Sequence, residues 1–166
     1  MGRVVATVAV TRAIAAPIER IWHVLTDLAE RATWLSTVYD VRVRTPGRFG
    51  VGTMWDETRA LPDGALVTET FHVDQCAPPT RLVISSRGDG ADYRMTFTLT
   101  PVDSGRHAGS TEVTVVHDGV PSSTTSRVLA IVLGELAART VESALRQDLA
   151  DLAAAVGPGE APARAA

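Results

Sequence analysis

Three side chains with acid–base chemistry share otherwise apolar faces of predicted strands. Glu69 alternates in step with Val67 and Phe71, and burying a lone carboxylate is costly unless it is paired or its pKa rises. His117 and Tyr93 likewise share the parity of apolar neighbours on their own strands. A carboxylate, an imidazole and a phenol can move protons and orient a ketone or hydroxyl. We therefore predict Glu69, His117 and Tyr93 as candidate catalytic residues.

Structural roles for these three residues are equally open from the sequence. Glu69 is either paired with Arg59 or Arg94 across the sheet, or it is a functional acid or base. Tyr93 and His117 either hydrogen-bond the backbone or face a ligand. Burial alone does not separate these alternatives, because a paired group and a functional group both occupy the inner face.

A similar ambiguity affects the strand predicted over residues 53–60. Glu57 shares the parity of Trp55 and Arg59, but Met54 has the opposite parity and is also apolar. The inward face of this strand is therefore undecided. Glu57 either pairs with Arg59, or the whole Glu57 face is solvated.

Period-two alternation predicts seven strands that would carry these residues. Short turn signals separate most of them, such as Pro62-Asp63-Gly64 and the segment 88–90. Such short links require antiparallel neighbours, because a parallel connection needs a crossover of about a dozen residues or more. The predicted strands span residues 3–14, 38–44, 53–60, 65–75, 81–86, 92–100 and 111–119.

Helical signals occur after the first strand and after the last. Pro17 suits the first position of a helix, and Asp27 with Glu30 resembles a capping box for a second short helix that extends to Trp34. The segment 123–156 carries apolar residues at steps of mostly three or four, which predicts one long helix. At about 1.5 Å per residue that helix is roughly 50 Å long, so it must lie across a whole sheet.

The order of elements predicts an α+β fold, in which a seven-stranded antiparallel sheet wraps around the long C-terminal helix. Two short helices follow the first strand. A strongly twisted sheet curls around such a helix, and a cavity opens where helix and sheet diverge.

Composition bounds the class of protein. The chain has 166 residues, of which 45% are hydrophobic, which suits a globular domain with a real core. We expect a domain over residues 1–156, a disordered tail over 157–166 and no stable membrane insertion. The N-terminus has no signal-peptide layout, so we expect a cytoplasmic protein. Its state as monomer or homodimer is open.

The charge distribution argues against a nucleic-acid partner, and the spacing of histidine and cysteine residues argues against a metal site. The net charge is −3 and all sixteen basic residues are arginines that form no basic stripe, so we expect no nucleic-acid partner. The four histidines show no close metal-ligand spacing and Cys76 is the only cysteine, so we expect no metal and no cofactor. The glycine-rich run 47–52 lacks the G-x-G-x-x-G spacing of a dinucleotide-binding loop. We predict it as a loop at a cavity entrance.

Four stretches carry a resemblance to a known superfamily: APIERIWHVLTDLAERATWL (16–35), VGTMWDETRALPDG (51–64), TETFHVDQCAPPTRLVIS (68–85) and the final amphipathic helix. They resemble the SRPBCC superfamily, which includes START lipid-transfer domains, birch-pollen-allergen-type proteins and bacterial polyketide cyclase/dehydrase-like proteins. The resemblance spans residues 3–156 and implies a helix-grip fold. No catalytic motif runs through this superfamily, so it implies no catalytic residue here.

The resemblance implies a ligand cavity between the sheet and the long helix. Such pockets are mostly apolar with a few placed polar groups. Apolar side chains on the inner faces are the candidates for its lining, although they can equally form plain core. These candidates are Trp34, Trp55, Phe71, Met95, Phe97, Val113, Val115, Leu129, Leu133 and Leu136.

Three functions follow from this resemblance. The first is binding of a hydrophobic or polycyclic small molecule, lipid-like or polyketide-like. The second is an enzyme, a polyketide cyclase, aromatase or dehydratase, that uses acid–base residues in the cavity. The third is a co-chaperone-like interaction domain, which requires an exposed apolar patch and no enclosed cavity.

Overall fold

The structure is a computed structural model that describes residues 6–61, 63–87, 91–121 and 124–157. Within the last helix, side chains are described from residue 138 onward. The elements are β1 (Ala6–Ile14), α1 (Ile18–Thr26), α2 (Arg31–Trp34), β2 (Val38–Val43), β3 (Met54–Ala60), β4 (Leu66–Ala77), β5 (Arg81–Arg87), β6 (Ala91–Pro101), β7 (Thr111–Pro121) and α3 (Thr124–Val156).

The seven strands form one antiparallel sheet in the order β1-β7-β6-β5-β4-β3-β2. Consecutive strands from β2 to β7 pair through short connections, and β1 pairs with β7. The predicted α+β helix-grip fold is therefore confirmed. Because β1 and β2 are the two edges, α1 and α2 have to carry the chain from one edge of the sheet to the other.

The hairpin between β3 and β4 follows from local turn chemistry. Gly64 has φ of 83°, a left-handed conformation that glycine adopts without steric cost. The Leu61 amide donates to the Ala65 carbonyl at 2.8 Å, and the Asp63 carboxylate accepts from the Ala65 amide at 3.0 Å. Pro62 and the predicted turn at 88–90 lie outside the described residues.

The short helices close one end of the fold. Pro17 lies immediately before α1 rather than inside it, and Ile18, Ile21 and Leu25 form the buried face of this helix. The Asp27 carboxylate accepts hydrogen bonds from the amides of residues 29 and 30 at 3.2 and 3.4 Å. These bonds satisfy backbone donors ahead of α2.

The second half of α3 packs on the inner face of the sheet. Leu145, Leu149, Leu152 and Val156 are all buried there, at the spacing that the sequence predicts for the helix stripe. Toward the middle of the helix, Val141 is only half-buried, because the helix and the sheet diverge at this point. The predicted disordered tail over 157–166 stays a prediction, since residues 158–166 lie outside the described part.

Candidate functional site

A cavity of about 250 Å³ lies between the sheet and α3. One wall comes from the helix and the other from strands β3 to β7, so the cavity exists only in the folded arrangement. Its lining residues are Arg59, Glu69, Phe71, Ile84, Ser86, Tyr93, Met95, His117, Val141, Ala144, Leu145 and Asp148.

The three predicted acid–base residues line this same cavity, although they come from β4, β6 and β7. The strand register explains why they meet. Tyr93 lies opposite Ser86 on β5, and Met95, two residues further along β6, lies opposite His117. The wall therefore carries a carboxyl group, a phenol, an imidazole and a hydroxyl, and the helix opposite contributes mainly Val141, Ala144 and Leu145.

Glu69 faces the cavity without a salt-bridge partner among the described residues. The sequence-based alternative of an ion pair with Arg59 or Arg94 is therefore not realised. Arg94 has the opposite strand parity to the inward Tyr93, and Arg59 is drawn to Glu57 and Asp148 instead. Burial raises the pKa of Glu69, although nearby Arg59 opposes this, and the negative charge of Glu57 raises it further.

Tyr93 and His117 lie side by side, with ring centroids 5.3 Å apart at an interplanar angle of 37°. Burial raises the pKa of the Tyr93 phenol, and the Glu69 charge adds to this effect. Burial lowers the pKa of His117, against the opposing effect of Asp118. A neutral phenol, which can donate, thus lies beside a neutral imidazole, which can accept a proton.

A buried ion cluster supports the end of the cavity. Glu57 is 1% exposed and accepts hydrogen bonds from Arg31 Nε at 2.6 Å, Arg59 Nε at 2.6 Å and Trp55 Nε1 at 3.2 Å. Arg59 also donates through one terminal nitrogen to Asp148 Oδ2 at 3.0 Å. The cluster thereby connects α2, β3 and α3.

The ion cluster shows which face of β3 points inward. Trp55 and Glu57 are both buried at 1% exposure, so this face points inward and Glu57 pairs with Arg59. Burial works against the Glu57 charge, but Arg31 and Arg59 outweigh it and lower the pKa of this carboxyl to about 2. Burial dominates at Asp148 and raises its pKa despite the pairing with Arg59.

Sequence reasoning missed three residues of this region: Arg31, Ser86 and Asp148. Asp148 had a usable signal, because it lies three residues after Leu145 and one before Leu149, on the edge of the apolar helix stripe. Ser86 shares the parity of the buried Ile84. Arg31 carried no comparable signal, since an arginine in a short polar helix is usually exposed.

The predicted apolar lining divides between two cavities and the core. Phe71 and Met95 line the cavity of about 250 Å³. A second, much smaller cavity of about 20 Å³, room for about one water molecule, is lined by Trp34, Phe97 and Val115 among others. Met95, Leu145 and Asp148 line both cavities, so the two adjoin.

The remaining predicted lining residues are either buried in the core or lie outside the described residues. Trp55 and Val113 are buried in the core and line neither cavity. Trp55 instead stacks on Phe71, the residue opposite it on β4, with ring centroids 5.4 Å apart. The side chains of Leu129, Leu133 and Leu136 lie outside the described residues.

The glycine-rich segment 47–52 is not among the described lining residues of the cavity, so its predicted place at the entrance stays a prediction. Phe49 packs against Trp55 with ring centroids 6.4 Å apart. The Gly52 amide donates to the Val73 carbonyl at 2.9 Å. These contacts fasten the segment to the sheet at a distance from the predicted acid–base residues.

The fold and this cavity define a helix-grip protein, with a sheet that curls around a long C-terminal helix. Residues 5–157 match the family described as polyketide cyclase / dehydrase and lipid transport, and the chain belongs to that family. It is thus a member of the SRPBCC superfamily, as its sequence resemblance predicted. No sequence among the curated proteins matches the chain significantly.

Solved structures with low sequence identity share the fold. A protein of Thermus thermophilus is 21% identical with a TM-score of 0.72, covering 90% of this chain and 96% of its own. A START superfamily protein from Mycobacterium smegmatis is 17% identical, with the same TM-score and the same coverage. The Zhui aromatase/cyclase from Streptomyces sp. R1128 is 18% identical with a TM-score of 0.71, covering 90% of this chain and 92% of its own.

Among the described residues, no helix is long and apolar enough to cross a membrane. The long α3 carries several charged side chains along its second half, including Glu142, Arg146 and Asp151.

Proposed function

We propose that this protein binds a hydrophobic or polycyclic small molecule, lipid-like or polyketide-like, in the cavity between the sheet and α3. The observation that carries the proposal is the cavity itself, about 250 Å³ in volume. Its apolar part comes from Phe71, Ile84 and Met95 of the sheet and from Val141, Ala144 and Leu145 of α3. Its polar part comes from the strands and from Asp148 of α3. This mixture is typical of small-molecule sites.

The volume of the cavity limits the size of the ligand. Pockets for drug-sized ligands span roughly 300–1,000 Å³, so a cavity of about 250 Å³ lies near the lower end. A compound of two or three fused rings, or a short acyl chain, suits this space better than a two-chain lipid. Membership of a family that includes polyketide cyclases and lipid-transport proteins supports the same class of ligand.

A blocking substitution tests the proposal. Ala144 lines the cavity from the helix at an exposed position, so Ala144→Trp places an indole at the open side of the cavity, where the ligand would enter. Ala155 is an exposed helix position that does not line the cavity, and Ala155→Trp is the matched control. The probe is N-phenyl-1-naphthylamine, an uncharged aromatic compound that fluoresces in apolar surroundings.

We expect the wild type and the Ala155→Trp variant to bind the probe with equal affinity, and Ala144→Trp to lose at least tenfold. Equal binding by all three proteins would place the probe elsewhere and contradict the proposal. If only Ala144→Trp loses affinity, extraction of the protein from its own source, followed by mass spectrometry, would identify the natural compound.

A second function is favoured by one specific observation: Glu69, Tyr93 and His117 line the same cavity. We propose as the alternative a cyclase or dehydratase that acts on a compound with neighbouring carbonyl groups. A neutral His117, or Glu69 as carboxylate, would remove a proton from the carbon between two carbonyls, and the Tyr93 hydroxyl would donate to the resulting enolate oxygen. The enolate carbon would then attack another carbonyl carbon, whose oxygen takes up a proton.

The first step of this reaction can be measured alone. Benzoylacetone in deuterated buffer exchanges the hydrogens between its carbonyls, and NMR follows the loss of that signal. If the protein is an enzyme, it raises the exchange rate above the rate in buffer alone, and His117→Gln or Glu69→Gln returns the exchange rate to that of buffer. An exchange rate equal to that of buffer would contradict this alternative and leave the binding function.

The interaction-domain alternative receives no support from the structure. It requires an exposed apolar patch and no enclosed cavity, and the cavity lined by Val141 and Ala144 argues against it.

A further inference from the structure

Among the described residues around the cavity, the charges are balanced within the protein except at one carboxyl group. Arg31 and Arg59 both pair with Glu57, and Arg59 also pairs with Asp148. Two guanidinium groups thus face two carboxylates. Glu69, on the sheet wall of the cavity, is a third carboxyl group, and it has no salt bridge to any described residue.

This arrangement disfavours an anionic ligand. A ligand carboxylate in the cavity would find Arg59, the one arginine among the described lining residues, already held by Glu57 and Asp148. It would also lie close to the Glu69 and Asp148 carboxyl groups. Like charges at short distance in a partly buried site weaken binding or force one of the groups to take up a proton.

A buried hydroxyl on the same wall lacks a partner. Within the described part of the chain, Ser86 Oγ and Trp34 Nε1 are the buried side-chain polar atoms with no hydrogen-bond partner. Ser86 is 2% exposed and lines the cavity, with Phe71 opposite it on β4 and Tyr93 opposite it on β6. Buried hydroxyls are normally satisfied, so an unpaired one at a cavity wall indicates an absent partner.

Resting on the function proposed above, we infer that the cavity selects an uncharged ligand with a hydroxyl or carbonyl oxygen on one edge. That oxygen hydrogen-bonds to Ser86 on the wall between Phe71 and Tyr93. A serine hydroxyl both donates and accepts, so it serves either kind of oxygen. Ser86 is then a residue that determines ligand specificity, and Glu69 is the residue that excludes anions.

Three matched probes separate these roles: naphthalene, 2-naphthol and 2-naphthoate. They share one ring system and differ in a hydroxyl and a carboxylate. Their dissociation constants are measured by calorimetry or by competition with N-phenyl-1-naphthylamine, on the wild type and on Ser86→Ala, Glu69→Gln and Ser85→Ala. Ser85 is the control, since it is the next residue on the strand and lines only a neighbouring groove, which it shares with Ser86 and Tyr93, and not this cavity.

The informative quantity for Ser86 is the ratio of the naphthalene constant to the 2-naphthol constant. One neutral hydrogen bond predicts that this ratio falls about 3- to 10-fold in Ser86→Ala and is unchanged in Ser85→Ala. Without ligand, Ser86→Ala should melt at the wild-type temperature or above it, because the substitution removes an unpaired buried polar group. A lower melting temperature with an unchanged ratio would assign Ser86 a structural role and overturn the inference.

For Glu69, we expect the wild type to bind 2-naphthoate at least tenfold more weakly than 2-naphthol, and Glu69→Gln to narrow this gap. Wild-type protein that binds 2-naphthoate as tightly as 2-naphthol would overturn the exclusion of anions while leaving the binding function intact. Failure of all three probes to bind would instead contradict the proposed function itself.

Discussion

Glu57 offers the strongest test of how the ion cluster stabilises the fold. The Glu57→Gln substitution keeps the shape of the side chain but removes its charge, leaving Arg31 and Arg59 facing a neutral amide. Both guanidinium groups now donate to Glu57 through Nε at 2.6 Å, and Arg31 is only 5% exposed. Removing one partner of a buried ion pair typically costs about 3–5 kcal/mol.

The pKa of Glu57 gives an independent magnitude. It falls from an ordinary value of 4.5 to about 2 in the folded protein. At about 1.4 kcal/mol for each pH unit between the two values, the charge contributes roughly 3 kcal/mol at neutral pH. Because the folded pKa is the lower one, this contribution is complete above pH 4.5 and is lost as the pH falls toward 2.

The assay is urea denaturation at several pH values, with unfolding monitored by circular dichroism. At pH 7 we expect Glu57→Gln to lose about 3–5 kcal/mol, which lowers the melting temperature by roughly 6–20 °C for a chain of this size. From about pH 4.5 downward, the difference between variant and wild type should shrink.

An exposed pair supplies the control. Glu142 and Arg146 form a salt bridge at 2.7 Å, with side chains 44% and 63% exposed, and Glu142→Gln should change stability by less than about 0.5 kcal/mol. A Glu57→Gln variant as stable as the wild type at pH 7, or a difference that persists unchanged to pH 2, would refute the reasoning.

Three further predictions concern packing, a buried hydroxyl and pH. Leu145→Ala should cost about 2–5 kcal/mol in urea while tightening the binding of larger ring systems, because Leu145 separates the two cavities; weaker binding would contradict this. Thr111→Val should cost about 1 kcal/mol, because Thr111 donates to the Ala16 carbonyl at 2.9 Å; an unchanged denaturation midpoint would contradict this. His117 has a pKa lowered by burial from its ordinary value of 6.5, so stability should fall as the pH drops below that value, and His117→Gln should flatten that part of the profile.

Much of the fold followed from the sequence because its signals are local. Alternation set the strands, short turns set the antiparallel pairing, and the helix stripe placed Leu145, Leu149 and Leu152 against the sheet. Strand parity also put Tyr93, His117 and Glu69 on inner faces. Each of these inferences needed only neighbours within about ten residues.

The partners of those residues could not be inferred in the same way. Parity places Glu69 on the inner face, but whether Arg59 turns to Glu69 or to Glu57 depends on Asp148, which is 89 residues further along the chain from Arg59. Arg31 joins the same cluster from a helix of four residues. No local pattern encodes an ion cluster drawn from three separate elements.

The sequence by itself determined the order of the elements, the antiparallel pairing of strands joined by short turns and the inward faces of most strands other than β3, because backbone periodicity and turn chemistry are local. Only the tertiary structure decided where the helix leaves the sheet, how large the cavity is and which carboxyl group there has no salt bridge to a described residue. These properties depend on distances between segments remote in the chain, and side-chain packing fixes such distances only once the whole chain has folded.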